Sequence, residues 1–248
     1  MYASLARFYD RLITGYPYEK LVGFLNKTVG ICGKSVLDLC CGTGNASVRM
    51  AELGAKSVTA LDLSPDMLKV AMAKPCKGTK PTYILGDINA LKLDGKSFDI
   101  VTAFCDGINY LEPSKIDGFA RDLARNGVFF GDFSTEYKLK SVLCGQVFYE
   151  DYDDLTYFFR TEVKGNRAKM HLTFFEKMRD NKENYVRYDD ISAQFIHKTA
   201  DVEKAFANAG FEVTMLDAGT LKNVTDTTQR ALIIANSNTS TAKRGENG

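Results

Sequence analysis

Nine residues, Val36-Leu37-Asp38-Leu39-Cys40-Cys41-Gly42-Thr43-Gly44, constrain this chain more than any others. An apolar run ends in an acid, turns through closely spaced glycines and opens into a helical pattern from Asn45 to Leu53. Strand, tight turn and helix N-terminus in that order let backbone approach a nucleotide-like ligand closely. A second apolar run from Ser57 ends in Asp62, 24 positions after Asp38, about one βαβ step. Two acids capping adjacent parallel strands beside a glycine turn suggest a site for a ribose-bearing cofactor.

The rhythm continues downstream. Ser64-Pro65-Asp66 is a helix start, with Ser at the N-cap, Pro at the first helical position and an acid in the first turn. Tyr83 to Asp87 reads as a third strand ending in an acid, Phe98 to Cys105 as a fourth, apolar on both faces, and Gly127 to Phe133 as a fifth. Between the last two, Ile116 to Leu123 is helical. Ahead of the glycine turn, Leu21, Phe24, Leu25 and Thr28 mark the buried stripe of another helix. Such alternation predicts a mostly parallel sheet covered on both faces. From Val147 to Ile196 period two takes over: Tyr157, Phe159, Thr161 and Val163 share one face, and beyond the turn at 164–167 so do Ala168, Met170, Leu172 and Phe174. A last helix with Val202, Ala205, Phe206 and Ala209 on one side precedes strands at Val213 to Leu216 and Arg230 to Ala235. The expected layout is a helical cover over 1–33, an α/β domain from 34–140 and 197–236, an antiparallel insertion over 141–196, and a polar, disordered tail over 237–248.

The 248 residues carry 32 basic and 31 acidic side chains, a net charge of +1, without a Lys/Arg run, which points away from nucleic acid as partner. Six cysteines form no CxxC pair and none has a histidine at metal-ligand spacing, so no metal is expected. No apolar stretch approaches transmembrane length, and reduced cysteines suit a cytoplasmic monomer or homodimer.

With this layout, the chain resembles the class I S-adenosylmethionine-dependent methyltransferases. Four segments carry the resemblance, in order and spacing: Val36 to Gly44, Leu61-Asp62-Leu63-Ser64-Pro65-Asp66-Met67-Leu68, Gly86-Asp87-Ile88 and Phe98-Asp99-Ile100-Val101. Phe8-Tyr9-Asp10, the segment Cys105 to Leu111 and the β-rich insertion are similar to a bacterial branch that includes YqeM-like enzymes and amino-sugar N-methyltransferases. The implied fold is Rossmann-like, a mostly parallel seven-stranded sheet with helices on both faces and an antiparallel β insertion after the fifth strand. The implied cofactor is S-adenosylmethionine. One departure is Cys40, where the family turn usually has its first glycine; a small side chain suffices if the backbone there keeps a negative φ.

The resemblance also implies roles. Asp62 would accept from both ribose hydroxyls and Asp87 from the adenine amino group, with the Ile88 N–H donating. Leu63 and Met67 would pack on the adenine. Gly42 and Gly44 would let the loop pass under the cofactor, and Asp38 would fix that loop and the methionine ammonium. Cys40 and Cys105 would lie beside the cofactor, although Cys105, like Cys41, also reads as a core residue of a buried strand end. Methyl transfer needs alignment above all, and a general base only if the nucleophile must lose a proton. Asp106 is the candidate base, or else a helix cap, and Tyr9 would orient methyl group or substrate. Asn109, Tyr110 and His197 are candidate substrate contacts, although a lone histidine such as His197 is more often structural or exposed.

The insertion would roof the pocket and set specificity, its aromatics Tyr149, Tyr152, Tyr157, Phe158, Phe159, Phe174 and Phe175 lining that roof, forming the small sheet's own core or making a dimer contact. The loop after the fourth strand lacks the Asn/Asp-Pro-Pro-aromatic motif of base N-methyltransferases, and no cysteine pair matches the RNA 5-methylcytosine enzymes. The leading expectation is methyl transfer to nitrogen or oxygen of a small molecule. An RNA or protein methyltransferase using the insertion for recognition, and a non-catalytic S-adenosylmethionine-binding protein, are the alternatives. A nicotinamide dehydrogenase is weaker, because the turn lacks G-x-G-x-x-G spacing.

Overall fold

The computed structural model describes residues 5–93, 95–178 and 184–237. Of the expected disordered tail over 237–248, Ser237 ends a strand instead and 238–248 lie outside the described residues. Seven strands form the main sheet: β1 (Ser35–Leu39), β2 (Ser57–Asp62), β3 (Thr82–Leu85), β4 (Ile100–Ala103), β5 (Val128–Ser134), β10 (Phe211–Asp217) and β11 (Arg230–Ser237), in the order β10-β11-β5-β4-β1-β2-β3. All pair in parallel except β11, which runs against both neighbours. Adjacent residues on the central strands serve opposite faces, as the pleat dictates. Leu37, Val101, Phe129 and Ile233 pack under α5 (Ile116–Leu123) and α6 (Thr199–Asn208). Val36, Ile100, Phe130 and Leu232 pack under α2 (Tyr18–Val29) and α3 (Asn45–Glu52).

Local signals explain most element ends. The Ser64 hydroxyl accepts from the Met67 N–H at 3.3 Å and starts α4 (Pro65–Ala73), and Gly210 follows α6 with φ +93°. In α2 the buried face is turned from the expected one: Leu21, Val22 and Leu25 are buried, while Thr28 is exposed and its hydroxyl donates back to the Phe24 carbonyl at 2.7 Å. Valine at 22 and 29 completes an apolar stripe that threonine would interrupt. The third and fourth strands are shorter than their apolar runs, and Asp87 already belongs to the following turn.

Four antiparallel strands form a second sheet after β5: β6 (Val147–Asp151), β7 (Leu155–Lys164), β8 (Arg167–Lys177) and β9 (Tyr185–Phe195), in sequence order. Alternation fixes the register, pairing Tyr157 with Phe174, Phe159 with Leu172, Thr161 with Met170 and Val163 with Ala168. The two-residue turn Gly165-Asn166 uses a left-handed glycine, φ +61°.

Helix α1 (Leu5–Leu12) lies between the two sheets. Its Phe8 packs on Phe174 and Tyr188 of the small sheet, with ring centroids 5.4 and 6.1 Å apart. Arg7 and Arg11 reach Glu176 and Asp154 at 3.0 and 2.7 Å. On its other side Asp10 meets Thr43 and Asn45 of the glycine turn at 2.6 and 3.0 Å and Lys74 at 2.7 Å. Among the described residues no helix is long and apolar enough to cross a membrane.

Candidate active site

At the carboxyl end of β1 the chain turns through Cys40, Gly42 and Gly44, with φ of +53°, +54° and +77°. The expectation that position 40 keeps a negative φ is therefore wrong. A left-handed non-glycine residue costs roughly 1–2 kcal/mol, which the surrounding bonds must offset. Cys41 N–H donates to the Leu61 carbonyl at 3.0 Å and Gly42 N–H to Asp62 Oδ2 at 2.8 Å, so β2 holds the turn in shape. Gly44 has no room for a side chain: a Cβ would stand 2.8 Å from the Tyr83 hydroxyl and 3.0 Å from the Ala71 Cβ.

Asp38, two residues before Cys40, points into the sheet and is 1% exposed. It accepts from the Ser47 hydroxyl on α3 and from the Thr102 hydroxyl on β4 at 2.7 Å, so it ties the turn's helix to its strand. Burial raises its pKa to about 6 from 3.8, against the two hydroxyl donors, which lower it. The native state thus holds the proton more tightly than the unfolded chain. The resulting stability is complete below pH 3.8 and is lost as pH rises through about 6, a change of about 3 kcal/mol. Asp38→Asn is expected to lack this decline, so its advantage over the wild type in urea unfolding should widen between pH 4 and pH 7. Parallel pH profiles for the two proteins would contradict the assignment.

Asp62 and Asp87 close the ends of β2 and β3. Asp62 accepts one backbone N–H on each oxygen, Gly42 at 2.8 Å and Ser64 at 2.9 Å, which leaves lone pairs on both. Burial raises its pKa, against these backbone donors. Asp87 caps the short turn 88–90 through Oδ1, which accepts from the Asn89 N–H and side chain at 2.8 and 3.1 Å. Both acids line a cavity of about 260 Å³, together with Tyr9, Cys40, Gly42, Leu63, Met67, Ile88, Cys105 and Tyr110. Ten of the fifteen residues singled out in the sequence thus meet at one place. The lining suits the expected cofactor: carboxylate oxygens with spare lone pairs at two strand ends, glycine backbone in the floor, and an apolar wall of Leu63, Met67 and Ile88.

Tyr9 arrives from α1, and its hydroxyl donates to Cys105 Sγ at 3.5 Å. Burial, then the neighbouring Cys105 and Tyr18, push its pKa well up, so it stays a neutral phenol. Burial likewise holds the Cys105 thiol protonated, at about 11.

The other five residues are placed differently. Asp38 and Gly44 shape the turn from behind. Asp106 follows Cys105, and both have left-handed backbone, φ +68° and +54°. The carboxylate of Asp106 is occupied: Arg230 Nη1 and Nη2 donate at 2.7 and 3.1 Å and the Ser134 hydroxyl at 2.7 Å. Burial raises its pKa, but Arg230 and Lys138 outweigh that and hold it low, so Asp106 is a poor base and its expected catalytic role does not fit. Nor does it make a side-chain cap bond. Asn109, fully buried, donates to the Ser134 and Phe195 carbonyls, both at 3.0 Å, and accepts from the Ser134 N–H at 2.8 Å. It fastens the second sheet to β5 and has no free face toward a substrate. His197 lies in a separate groove of about 730 Å³ between α5, α6 and the β7–β8 turn, with its Nε2 3.0 Å from the Leu111 carbonyl. Burial lowers its pKa, and its position is structural.

Sequence reading missed Gly86, Asn89, Arg167 and Ala193, which complete the cavity wall. It also missed what holds the left-handed turn at 105–106. Asp132 on β5, fully buried, accepts from the Cys105 and Asp106 N–H groups at 3.1 and 2.9 Å, from the Tyr16 hydroxyl and from Arg230 at 2.6 Å. The Arg230 guanidinium also lies 4.9 Å from the Tyr16 ring centroid. Two carboxylates, Arg230 and Lys138 balance in charge. None of the seven insertion aromatics lines the cavity; Phe174 and Tyr157 pack on each other and on the cluster under α1, whereas Tyr149 and Phe158 stack on the exposed outer face.

Residues 36–126 match a family model described as a methyltransferase domain. A Geobacillus sp. (strain WCH70) protein named as a methyltransferase is 31% identical over 247 residues, covering 94% of this chain and 98% of its own. Bacillus subtilis YqeM, also named as a methyltransferase, is 28% identical over 225 residues, covering 88% and 89%. Among solved structures, an S-adenosylmethionine-dependent methyltransferase from Clostridium acetobutylicum superposes with a TM-score of 0.80 at 27% identity, covering 95% and 98% of the two chains. The sugar N-methyltransferase KedS8 from Streptoalloteichus superposes at 0.72 with 19% identity, covering 92% of each, a likeness of fold.

Proposed function

Because the chain belongs to the S-adenosylmethionine-dependent methyltransferases, we propose that it methylates a nitrogen or oxygen atom of a small-molecule acceptor. The observation that carries this reading is how the cavity is enclosed: Tyr9 of α1 and Arg167 and Ala193 of the second sheet line it together with the residues of the glycine turn. In this reading the sheet formed by β6 to β9 is a substrate lid. A near-neutral chain without a basic run adds support, as does a fold shared with a protein named as a sugar N-methyltransferase.

When bound, the cofactor supplies a methyl group on positive sulfur, an electrophile that needs no further activation. Asp62 would take the ribose hydroxyls, Asp87 and the Ile88 N–H the adenine edge, Leu63 and Met67 its face, and the 42–44 backbone the amino-acid tail. The protein's remaining task is alignment and exclusion of water. Tyr9, a neutral phenol over the glycine turn, would orient the acceptor. With Asp106 spent on Arg230, the described cavity residues offer no base free of the cofactor's hydrogen bonds, which suits an acceptor whose nucleophilic atom reaches the site already deprotonated.

The test is to incubate the protein with methyl-labelled S-adenosylmethionine and a cell extract split by size. Label is expected in the low-mass fraction; label confined to RNA or protein would overturn the small-molecule reading.

A further inference from the structure

The cofactor cavity contains one charged group that neither fold nor cofactor accounts for. Two acids, Asp62 and Asp87, stand on the wall formed by β2 and β3, and Arg167, at the start of β8, is the only cationic side chain among the described lining residues. The neighbouring cations are already neutralised. Arg230 is held by Asp106 and Asp132, and Lys74 by Asp10. The two arginines of α1 are bound to Glu176 and Asp154. Arg167 makes no ion pair among the described residues. Its guanidinium instead lies 4.5 Å from the centroid of the Phe195 ring.

That contact positions the group without consuming its donors. A guanidinium has five N–H groups in its plane, and stacking on an aromatic face leaves them directed outward in a fork matched to carboxylate or phosphate oxygens. The backbone beneath is also fixed. Arg167 pairs with Phe195 across β8 and β9, and the Asn166 carbonyl accepts from the Ile196 N–H at 2.8 Å. The charge is thus presented to the cavity from the second sheet, whereas the acids stand at strand ends of the first.

We infer that Arg167 grips an anionic group, a carboxylate or a phosphate, carried by the methyl acceptor. This rests on the small-molecule reading above. The cofactor has a carboxylate of its own, but in that reading its amino-acid tail lies over residues 42–44 on the β1 side, whereas Arg167 enters with the sheet assigned to the acceptor. An anion also completes the electrostatics, since the acids attract a cationic cofactor and Arg167 attracts an acceptor of opposite sign.

Three measurements on the full chain, with Arg167→Met and Arg167→Lys, test this. First, calorimetry with S-adenosylmethionine: affinity is expected within about threefold of wild type in both variants, and a loss beyond tenfold in Arg167→Met would assign the arginine to the cofactor's carboxylate and overturn the proposal. Second, pyrophosphate and succinate are titrated into protein saturated with S-adenosylhomocysteine. At least one should bind saturably and about 10- to 100-fold more weakly to Arg167→Met, with Arg167→Lys between. Binding of neither, or equal binding to all three proteins, overturns it. Third, labelled low-mass product should be retained by an anion-exchange resin at neutral pH and form with kcat/KM reduced at least tenfold in Arg167→Met. A product that flows through overturns the anionic acceptor. Label found only in macromolecules overturns the small-molecule reading and this proposal with it, whereas failure of the probe titration alone strikes only Arg167.

Discussion

Alanine at position 62 is expected to lower S-adenosylmethionine affinity at least 100-fold. Asp62 sits where β2 ends, inside the cavity, with lone pairs left on both oxygens. Two charge-assisted hydrogen bonds to a ribose diol would contribute about 1.5–3 kcal/mol each, and their joint loss passes 100-fold in Kd. The same substitution leaves the Gly42 N–H without its acceptor, so a stability loss of about 1–3 kcal/mol should accompany it. Calorimetry on protein shown to be folded by thermal melting separates the two effects. A Kd within threefold of wild type would remove Asp62 from the cofactor site and leave it a turn clamp.

Arg230→Met is expected to be strongly destabilising. It strands fully buried Asp132 and half-buried Asp106, with Lys138 as the remaining nearby cation. Breaking a buried pair in this way costs about 3–5 kcal/mol, or a fall in Tm of roughly 10 °C for a chain of this size. Burial by itself works against the Arg230 charge; the two carboxylates more than compensate and raise its pKa. Once the arginine is gone, the largest influence holding the Asp106 pKa down is lost and burial, which raises it, gains weight, so this carboxyl should take up a proton more readily in the folded state than in the unfolded one. Stability of the variant should therefore be greatest in acid and fall as pH rises, and adding Asp106→Asn should recover part of it. A variant melting within 2 °C of wild type at pH 8 would show that the cluster is not what holds the 105–106 turn.

What could be read from the sequence follows the range of the forces involved. Asp62 and Asp87 were legible because strand-end acids beside a glycine turn are positioned by local structure alone. The β7–β8 register was legible because an alternating strand must turn one face inward. Cys40 was misread because its left-handed backbone is imposed by Leu61 and Asp62 on the next strand and not by its own side chain. Asp106 was misread for a related reason. Its place after β4 locates the backbone, but the fate of its carboxylate depends on Arg230, far along the chain. Arg167 looked like an ordinary hairpin residue, since nothing local says that the hairpin folds back over the cofactor loop.

The attachments of α1 differ in kind, and salt should tell them apart. Its links to the glycine turn are bonds among Asp10, Thr43, Asn45 and Lys74, whereas its link to the small sheet adds to the ion pairs of Arg7 and Arg11 an apolar contact, Phe8 seated against fully buried Phe174. Counter-ions screen the ion pairs on both sides and leave the Phe8 contact almost untouched. In concentrated salt the helix should keep its apolar seats on the small sheet and on Met67 of α4, while its grip on the glycine turn loosens.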